Sequence, residues 1–162
     1  MVMKLYDLVN AMRYAFFRSG RLYVDISSEA YKFYVEISYF KDGMSNPHIE
    51  RIVYLPDSPH LSVDSEWSNF PQNIKGRSIE WIAPSFYDSV VEAFLPEITN
   101  EFVKTKLESV PKFSDEFKRL FDIYVEDDYE YGEGKKFYEF KNEYWHETAR
   151  KFCDEHSIEY EE

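Results

Sequence analysis

The sequence predicts an α+β domain, with an antiparallel meander of four to five strands that is preceded by one helix and followed by three helices packed on one face. Three observations lead to this prediction. Apolar residues at helical spacing open the chain, an alternating pattern of period two follows from residue 21 to residue 84, and helical spacing returns from Ser85 onwards. A chain of 162 residues is long enough to bury a core of its own.

The first helix is predicted near the N-terminus, where apolar residues fall on one face and charged residues lie between them. Ser19 and Gly20 follow this stripe, and glycine tolerates the left-handed backbone that closes many helices. We therefore expect the helix to end there. The stripe consists of Leu5, Leu8, Val9, Met12, Ala15 and Phe16.

Alternation in β-branched and aromatic residues predicts the strands. Residues 22–27 and 32–40 are separated by a short polar segment, so they are expected to form an antiparallel hairpin. In the second of these strands Val35 and Ile37 should be buried and Glu36 exposed, because side chains alternate between the faces of a sheet. Further strands are predicted at residues 48–56, 60–67 and 77–84.

Helical spacing accounts for the remainder of the chain. Ser85 and Ser114 are suitable N-cap residues, and Pro96 should kink or restart the helix that begins after Ser85. The last helix is predicted at residues 135–156. Its broad apolar side includes Trp145 and Phe152, which we expect to be docked because burying such aromatics contributes several kcal/mol.

Charge divides the chain into residues 1–121, the α+β core, and residues 122–162, an acidic aromatic loop and C-terminal helix. The second part carries 14 Asp or Glu against 5 Lys or Arg, a net charge of −9 out of −12 for the whole chain. The rest of the chain is therefore close to neutral. We expect both parts to pack in the same domain, since the last helix has an apolar side to bury.

Composition also sets the expected location and partners. A single cysteine, Cys153, excludes an internal disulfide and fits a reducing compartment, so a cytoplasmic protein is expected. A net charge of −12 disfavours direct contact with nucleic acid and with anionic membrane surfaces, and it favours a basic protein partner. No apolar run in the sequence is long enough to span a membrane.

No motif in the sequence predicts a catalytic or a metal site. The acidic run at residues 128–139 is not expected to bind calcium, because Gly132 stands where a ligand is needed and Glu133 where the turn glycine is needed. No cofactor is expected. An alternative interpretation stays open, namely a small intracellular enzyme with a cleft near His60, Asp64 and Glu66.

The strongest functional signal is the segment 122–133, which has six acids and no base in twelve residues. This self-repulsion exceeds what solubility alone requires. Tyrosine is enriched at protein interfaces, and carboxylates can replace phosphates as partners of Arg and Lys. We therefore predict a partner-binding site formed by Asp122, Tyr124, Glu126, Asp127, Asp128, Tyr129, Glu130, Tyr131 and Glu133.

These features predict a non-enzymatic binding protein that inhibits a nucleic-acid-handling enzyme, such as a nuclease, by covering its basic surface. In size, low cysteine content and acidic composition rich in Tyr, Phe and Glu, the chain resembles inhibitors encoded by phages and mobile elements. These include anti-CRISPR proteins, anti-restriction proteins and glycosylase inhibitors. The resemblance is one of composition and covers no motif. A second alternative is an immunity or antitoxin-like protein that binds a basic toxin.

Overall fold

A computed structural model describes residues 2–26, 31–40, 42–55, 58–62 and 78–162, and its internal contacts divide the chain into two units. The first unit comprises Met1–Ser85 together with Trp145–Glu162, and the second comprises Phe86–Tyr144. The division that charge predicts, between residues 121 and 122, stays a prediction. Among the described residues, no helix is long and apolar enough to cross a membrane.

The α+β class is confirmed, with one helix before an antiparallel sheet and the other helices after it. The sheet is built from β2 (Arg21–Asp25), β3 (Lys32–Tyr39), β4 (His48–Leu55), β5 (Ser58–Ser62) and β6 (Ser78–Ile82). Its spatial order is β5-β4-β3-β2-β6. Strands β2 to β5 form the predicted meander, whereas β6 does not extend it and instead pairs with β2 at the opposite edge.

The register within the sheet agrees with the predicted alternation. Val35 and Ile37 are buried, while the Glu36 side chain is partly exposed and pairs with Arg51 at 3.1 Å. The opposite face is less polar than the alternation indicates, because Tyr34 is also fully buried. Tyr34 lies between Tyr23 and Val53 in the register, and these three residues form a buried cluster of their own. The central strands are therefore covered on both faces.

Helix α1 (Leu5–Phe17) lies against β2 and β3 and buries the predicted apolar stripe. Its end differs from the prediction in one respect. Ser19, with a φ of 50°, takes the left-handed conformation, and the Gly20 amide donates to the Ala15 carbonyl at 2.8 Å. Gly20 is needed for a different reason, since a Cβ there would lie 3.0 Å from the carbonyl oxygen of Glu36.

The C-terminal residues complete the first unit. Trp145 and Phe152 are buried, as predicted, and the Trp145 ring packs edge-on against Phe16 with centroids 4.6 Å apart. Beyond the last helix, a short strand β7 (Tyr160–Glu161) pairs in parallel with β1 (Met3–Lys4). The C-terminus is thereby fixed beside the start of α1.

The second unit is helical. It begins with a π-helical turn (Tyr87–Val91), α2 (Glu92–Phe94) and a 3-10 turn (Leu95–Glu97) that contains Pro96. After this turn the chain restarts as the helix α3 (Glu101–Glu108), as predicted. The predicted cap at Ser114 is confirmed, since its hydroxyl accepts a hydrogen bond from the Phe117 amide at 3.2 Å. The remaining elements are α4 (Asp115–Phe121), a second π-helical turn (Asp122–Glu126) and α5 (Glu133–Glu155). Only the residues of α5 up to Tyr144 belong to this unit.

Candidate functional site

The predicted site begins as a continuation of α4. Asp122–Glu126 forms a π-helical turn, in which the Asp127 amide donates to the Asp122 carbonyl at 2.8 Å. Val125 is buried, whereas Asp122 and Tyr124 are half-buried and Ile123 is exposed. A loop of six residues then leads to α5, which starts at Glu133. The six acids are therefore distributed over a helical turn, a loop and a helix start, and they have different environments.

Asp128 organises this loop from within. One carboxylate oxygen accepts hydrogen bonds from the amides of Glu130 and Tyr131 at 2.8 and 2.9 Å. The other accepts from the amides of Glu133 and Gly134 at 3.1 and 3.4 Å, in the first turn of α5. Burial of the Asp128 carboxyl opposes ionisation, but the four N–H groups outweigh it and hold its pKa below the ordinary value. The Asp128 carboxylate thus fixes the loop that carries the other acids.

The close approach of α5 to the loop explains a glycine. A Cβ on Gly134 would lie 2.5 Å from the carbonyl oxygen of Asp128 and 2.9 Å from that of Val125. Any larger residue at this position would push the helix start away from the loop. Gly134 therefore keeps its amide within reach of the Asp128 carboxylate.

Glu133 supports the loop from the inside. Its side chain is buried, with the residue 1% exposed, and Oε1 accepts hydrogen bonds from the amides of Thr99 and Asn100 at 3.2 and 3.0 Å. The Lys136 ammonium lies 3.1 Å from Oε2 and compensates its charge, although it is not in hydrogen-bonding geometry with that oxygen. Lys136 also donates to the Glu97 carbonyl at 2.7 Å. Glu133 thus joins the start of α5 to the chain before α3 and presents no charge at the surface.

Asp122 and Glu126 form a partly buried acidic pair. The Tyr87 hydroxyl donates to Asp122 at 3.3 Å, and the Lys141 ammonium lies 3.4 Å from a carboxylate oxygen of Glu126. Burial, together with the neighbouring Asp122, raises the pKa of Glu126 even though Lys141 lowers it. Burial and the two carboxylates raise the pKa of the Tyr87 phenol to about 12. One ammonium group therefore faces two carboxylates, so Lys141 compensates only part of the charge of this pair.

Tyr124 and Tyr131 line the site with aromatic surface. The Tyr131 ring stacks on Phe102 with centroids 5.4 Å apart, and the Tyr124 ring meets the same phenylalanine edge-on at 5.6 Å. Phe102 is not among the residues that the sequence predicts for the site. Helical spacing gives a signal that places Phe102 outside the core. The buried Val103 and Leu107 are four residues apart and share one face of the helix, so Phe102 points away from that face.

The remaining predicted residues line an open groove of about 290 Å³. Tyr129 is 100% exposed, and Asp127 and Glu130 are exposed on either side of it. Glu130 helps to raise the pKa of the Tyr131 phenol, although burial contributes more, and within the described part of the chain the Asp127 carboxylate has no hydrogen bond or ion pair. The lining of the groove consists of Ile123, Tyr124, Asp127, Asp128, Tyr129, Glu130 and Tyr131, which we call the acidic groove.

The structure does not test the alternative catalytic cleft. His60 lies in β5, while Asp64 and Glu66 fall outside the described residues. Cys153 is buried, and burial with the neighbouring Asp154 raises the pKa of its thiol to about 11, so the thiolate is scarce at neutral pH. Among the residues that the structure describes, no group of three or more His, Cys, Asp or Glu could hold a metal ion.

Comparison of the chain with protein-family models, curated proteins and solved structures found no match. The function of the acidic groove therefore has to be inferred from its charge, exposure and shape.

Proposed function

We propose that this protein is a non-enzymatic binding protein whose acidic groove covers a basic surface of a nucleic-acid-handling enzyme and thereby inhibits it. The observation that carries the proposal is the fully exposed Tyr129 between the exposed acids Asp127 and Glu130. These residues belong to a twelve-residue segment with six acids and no base. An exposed aromatic ring between uncompensated carboxylates is a poor arrangement for a solvated loop and a good one for an interface.

The chemistry of the groove fits arginine and lysine side chains. A guanidinium group forms the same forked pair of hydrogen bonds with a carboxylate as with a phosphate. Its flat face also packs favourably on aromatic rings such as those of Tyr124 and Tyr131. A surface that evolved to bind the nucleic-acid backbone therefore offers the groups that the acidic groove would bind. An RNA-guided nuclease, which holds its duplex in a positively charged channel, is one enzyme of this class.

The groove is also held in shape before a partner arrives. The four hydrogen bonds of Asp128 and the buried contacts of Glu133 fix the loop on the helices around it. A loop that is already ordered loses less conformational entropy on binding. Asp128 and Glu133 hold the loop in place, so only other acids of the segment need to be exposed to a partner.

Affinity capture from a lysate that contains nucleases, followed by mass spectrometry, tests the proposal. The immobilised protein should retain basic nucleic-acid-handling enzymes, and excess duplex DNA or raised salt should release them, because both compete for the same charges. A captured nuclease, once purified, should lose activity as the protein is added. Capture of proteins that DNA does not displace, or a captured nuclease that stays fully active, would contradict the proposed function.

A further inference from the structure

A second cavity in the Phe86–Tyr144 unit shares no residue with the acidic groove. It has a volume of about 350 Å³, within the range of small-molecule sites, and it is open on one side. Its floor is part of the core, since Ile98, Leu107 and Phe117 are buried, while Leu95 and Val110 at its edge are half-buried. The cavity therefore has an apolar interior and an accessible mouth.

The helices that form the cavity are fixed by their caps. Asn100 caps α3 by accepting a hydrogen bond from the Val103 amide at 3.1 Å. Ser114 caps α4 by accepting one from the Phe117 amide at 3.2 Å. Because both helix starts are fixed in this way, the space between their side chains exists without a ligand.

Three charged residues also line this cavity, and one of them is already neutralised. The Lys112 ammonium lies 2.7 Å from a carboxylate oxygen of Glu92. Lys104 and Glu108, by contrast, have no side-chain hydrogen bond or ion pair with any residue that the structure describes. They are one turn apart on α3, so one positive and one negative group stand side by side at the cavity.

We propose that this cavity binds a free α-amino acid with an apolar side chain. Its carboxylate pairs with Lys104, its ammonium group pairs with Glu108, and its side chain fills the apolar interior. A simple carboxylic acid would bring its charge close to Glu108, and a simple amine would bring its charge close to Lys104. A zwitterion alone is attracted by both residues, so charge complementarity selects it. The proposal is independent of the acidic groove.

Titration of the full-length protein with L-leucine or L-phenylalanine, followed by NMR of the backbone amides, tests this inference. We expect saturable shifts confined to the residues around the cavity. Two ligand analogues separate the charges, namely 4-methylpentanoate, which lacks the amino group of leucine, and 3-methylbutylamine, which lacks its carboxylate. Each should bind about 1.5- to 5-fold more weakly than leucine, the factor expected for one exposed ion pair.

Two variants assign the roles of the charged residues. Lys104→Met keeps the aliphatic stem and should weaken leucine and 4-methylpentanoate but not 3-methylbutylamine. Glu108→Gln should weaken leucine and 3-methylbutylamine but not 4-methylpentanoate. Both residues are at the cavity rim, so the fold should be retained, which the parent-like amide spectrum would verify. The inference is overturned if no saturable shift occurs up to the solubility limit of the amino acid, if the shifts map elsewhere, or if the variants bind all three ligands like the parent.

Discussion

Replacing Asp128 by alanine should destabilise the protein far more than replacing its neighbour Asp127, although both are acids of the same loop. The Asp128 carboxylate accepts four backbone hydrogen bonds, two within the loop and two from the first turn of α5. Alanine leaves the two helix-start amides without their partner. Asp127 is exposed, and among the described residues its carboxylate bonds to nothing.

The size of the effect follows from these contacts. Replacing a helix N-cap acceptor by alanine costs about 0.5–2 kcal/mol, and Asp128 serves more amides than an ordinary cap. We therefore expect a loss of about 2 kcal/mol in the free energy of unfolding. For a chain of this length each kcal/mol lowers Tm by about 2–4 °C, so Tm should fall by about 4–8 °C. Asp127→Ala should stay within about 0.5 kcal/mol of the parent, as is usual for exposed positions.

Thermal and urea unfolding of the parent, Asp128→Ala and Asp127→Ala measure this difference. The pH dependence gives a second check. Because the pKa of Asp128 is lowered in the folded state, its stabilisation is present above the ordinary range of an aspartate and is lost as the pH falls through the lowered pKa. The gap between parent and Asp128→Ala should therefore narrow in acid. Equal stability of the two variants at neutral pH would refute the role assigned to Asp128.

Three further predictions concern other parts of the structure. Trp145→Ala should cost about 3–5 kcal/mol in urea unfolding, because it empties a buried site, whereas Tyr138→Ala on the exposed side of the same helix should change little. Since burial raises the pKa of Glu126, the contribution of this carboxyl to stability is greatest in acid and is lost as the pH rises through the raised pKa. Glu126→Gln should therefore flatten the pH profile of the free energy of unfolding between the ordinary glutamate range and neutrality. A profile parallel to that of the parent would contradict this prediction. Tyr129→Ala should leave Tm unchanged but weaken partner binding about tenfold or more, as measured by calorimetry with the captured enzyme, since exposed aromatic anchors dominate interfaces; undiminished affinity would exclude Tyr129 as an anchor.

The sequence predicts the local elements well because they depend on short spacings. Val35 and Ile37 against Glu36 defined the register of a strand, and Ser114 marked a helix start. The burial of Tyr34 could not be predicted in this way. Whether the second face of a sheet is covered depends on residues distant in sequence, and alternation only identifies the more apolar face.

The candidate site was located by composition, but the roles of its residues were not. Asp128 and Glu133 look like their acidic neighbours in the sequence, yet one binds four amides and the other is buried against Asn100, 33 positions away. Such roles depend on backbone directions and long-range contacts. Among the predicted site residues, Asp127, Tyr129 and Glu130 are therefore the exposed ones that form no ion pair with a described residue, and the rings of Tyr124 and Tyr131 lie beside them.

The most direct test of the proposed binding surface compares two charge-reversed proteins. The first protein carries Asp127→Lys and Glu130→Lys in the acidic groove. The control protein carries Glu139→Lys and Glu155→Lys, which make the same change in net charge. These two control positions are exposed on α5 and form no ion pair among the described residues. Affinity and association rate for the purified captured enzyme are measured by surface plasmon resonance at low and physiological salt. The groove variant should bind about tenfold or more weakly, mainly through slower association, and should lose the salt dependence of the parent, whereas the control should stay close to the parent. Equal weakening of both proteins, or parent-like binding by the groove variant, would contradict the assignment of the acidic groove as the partner-binding surface.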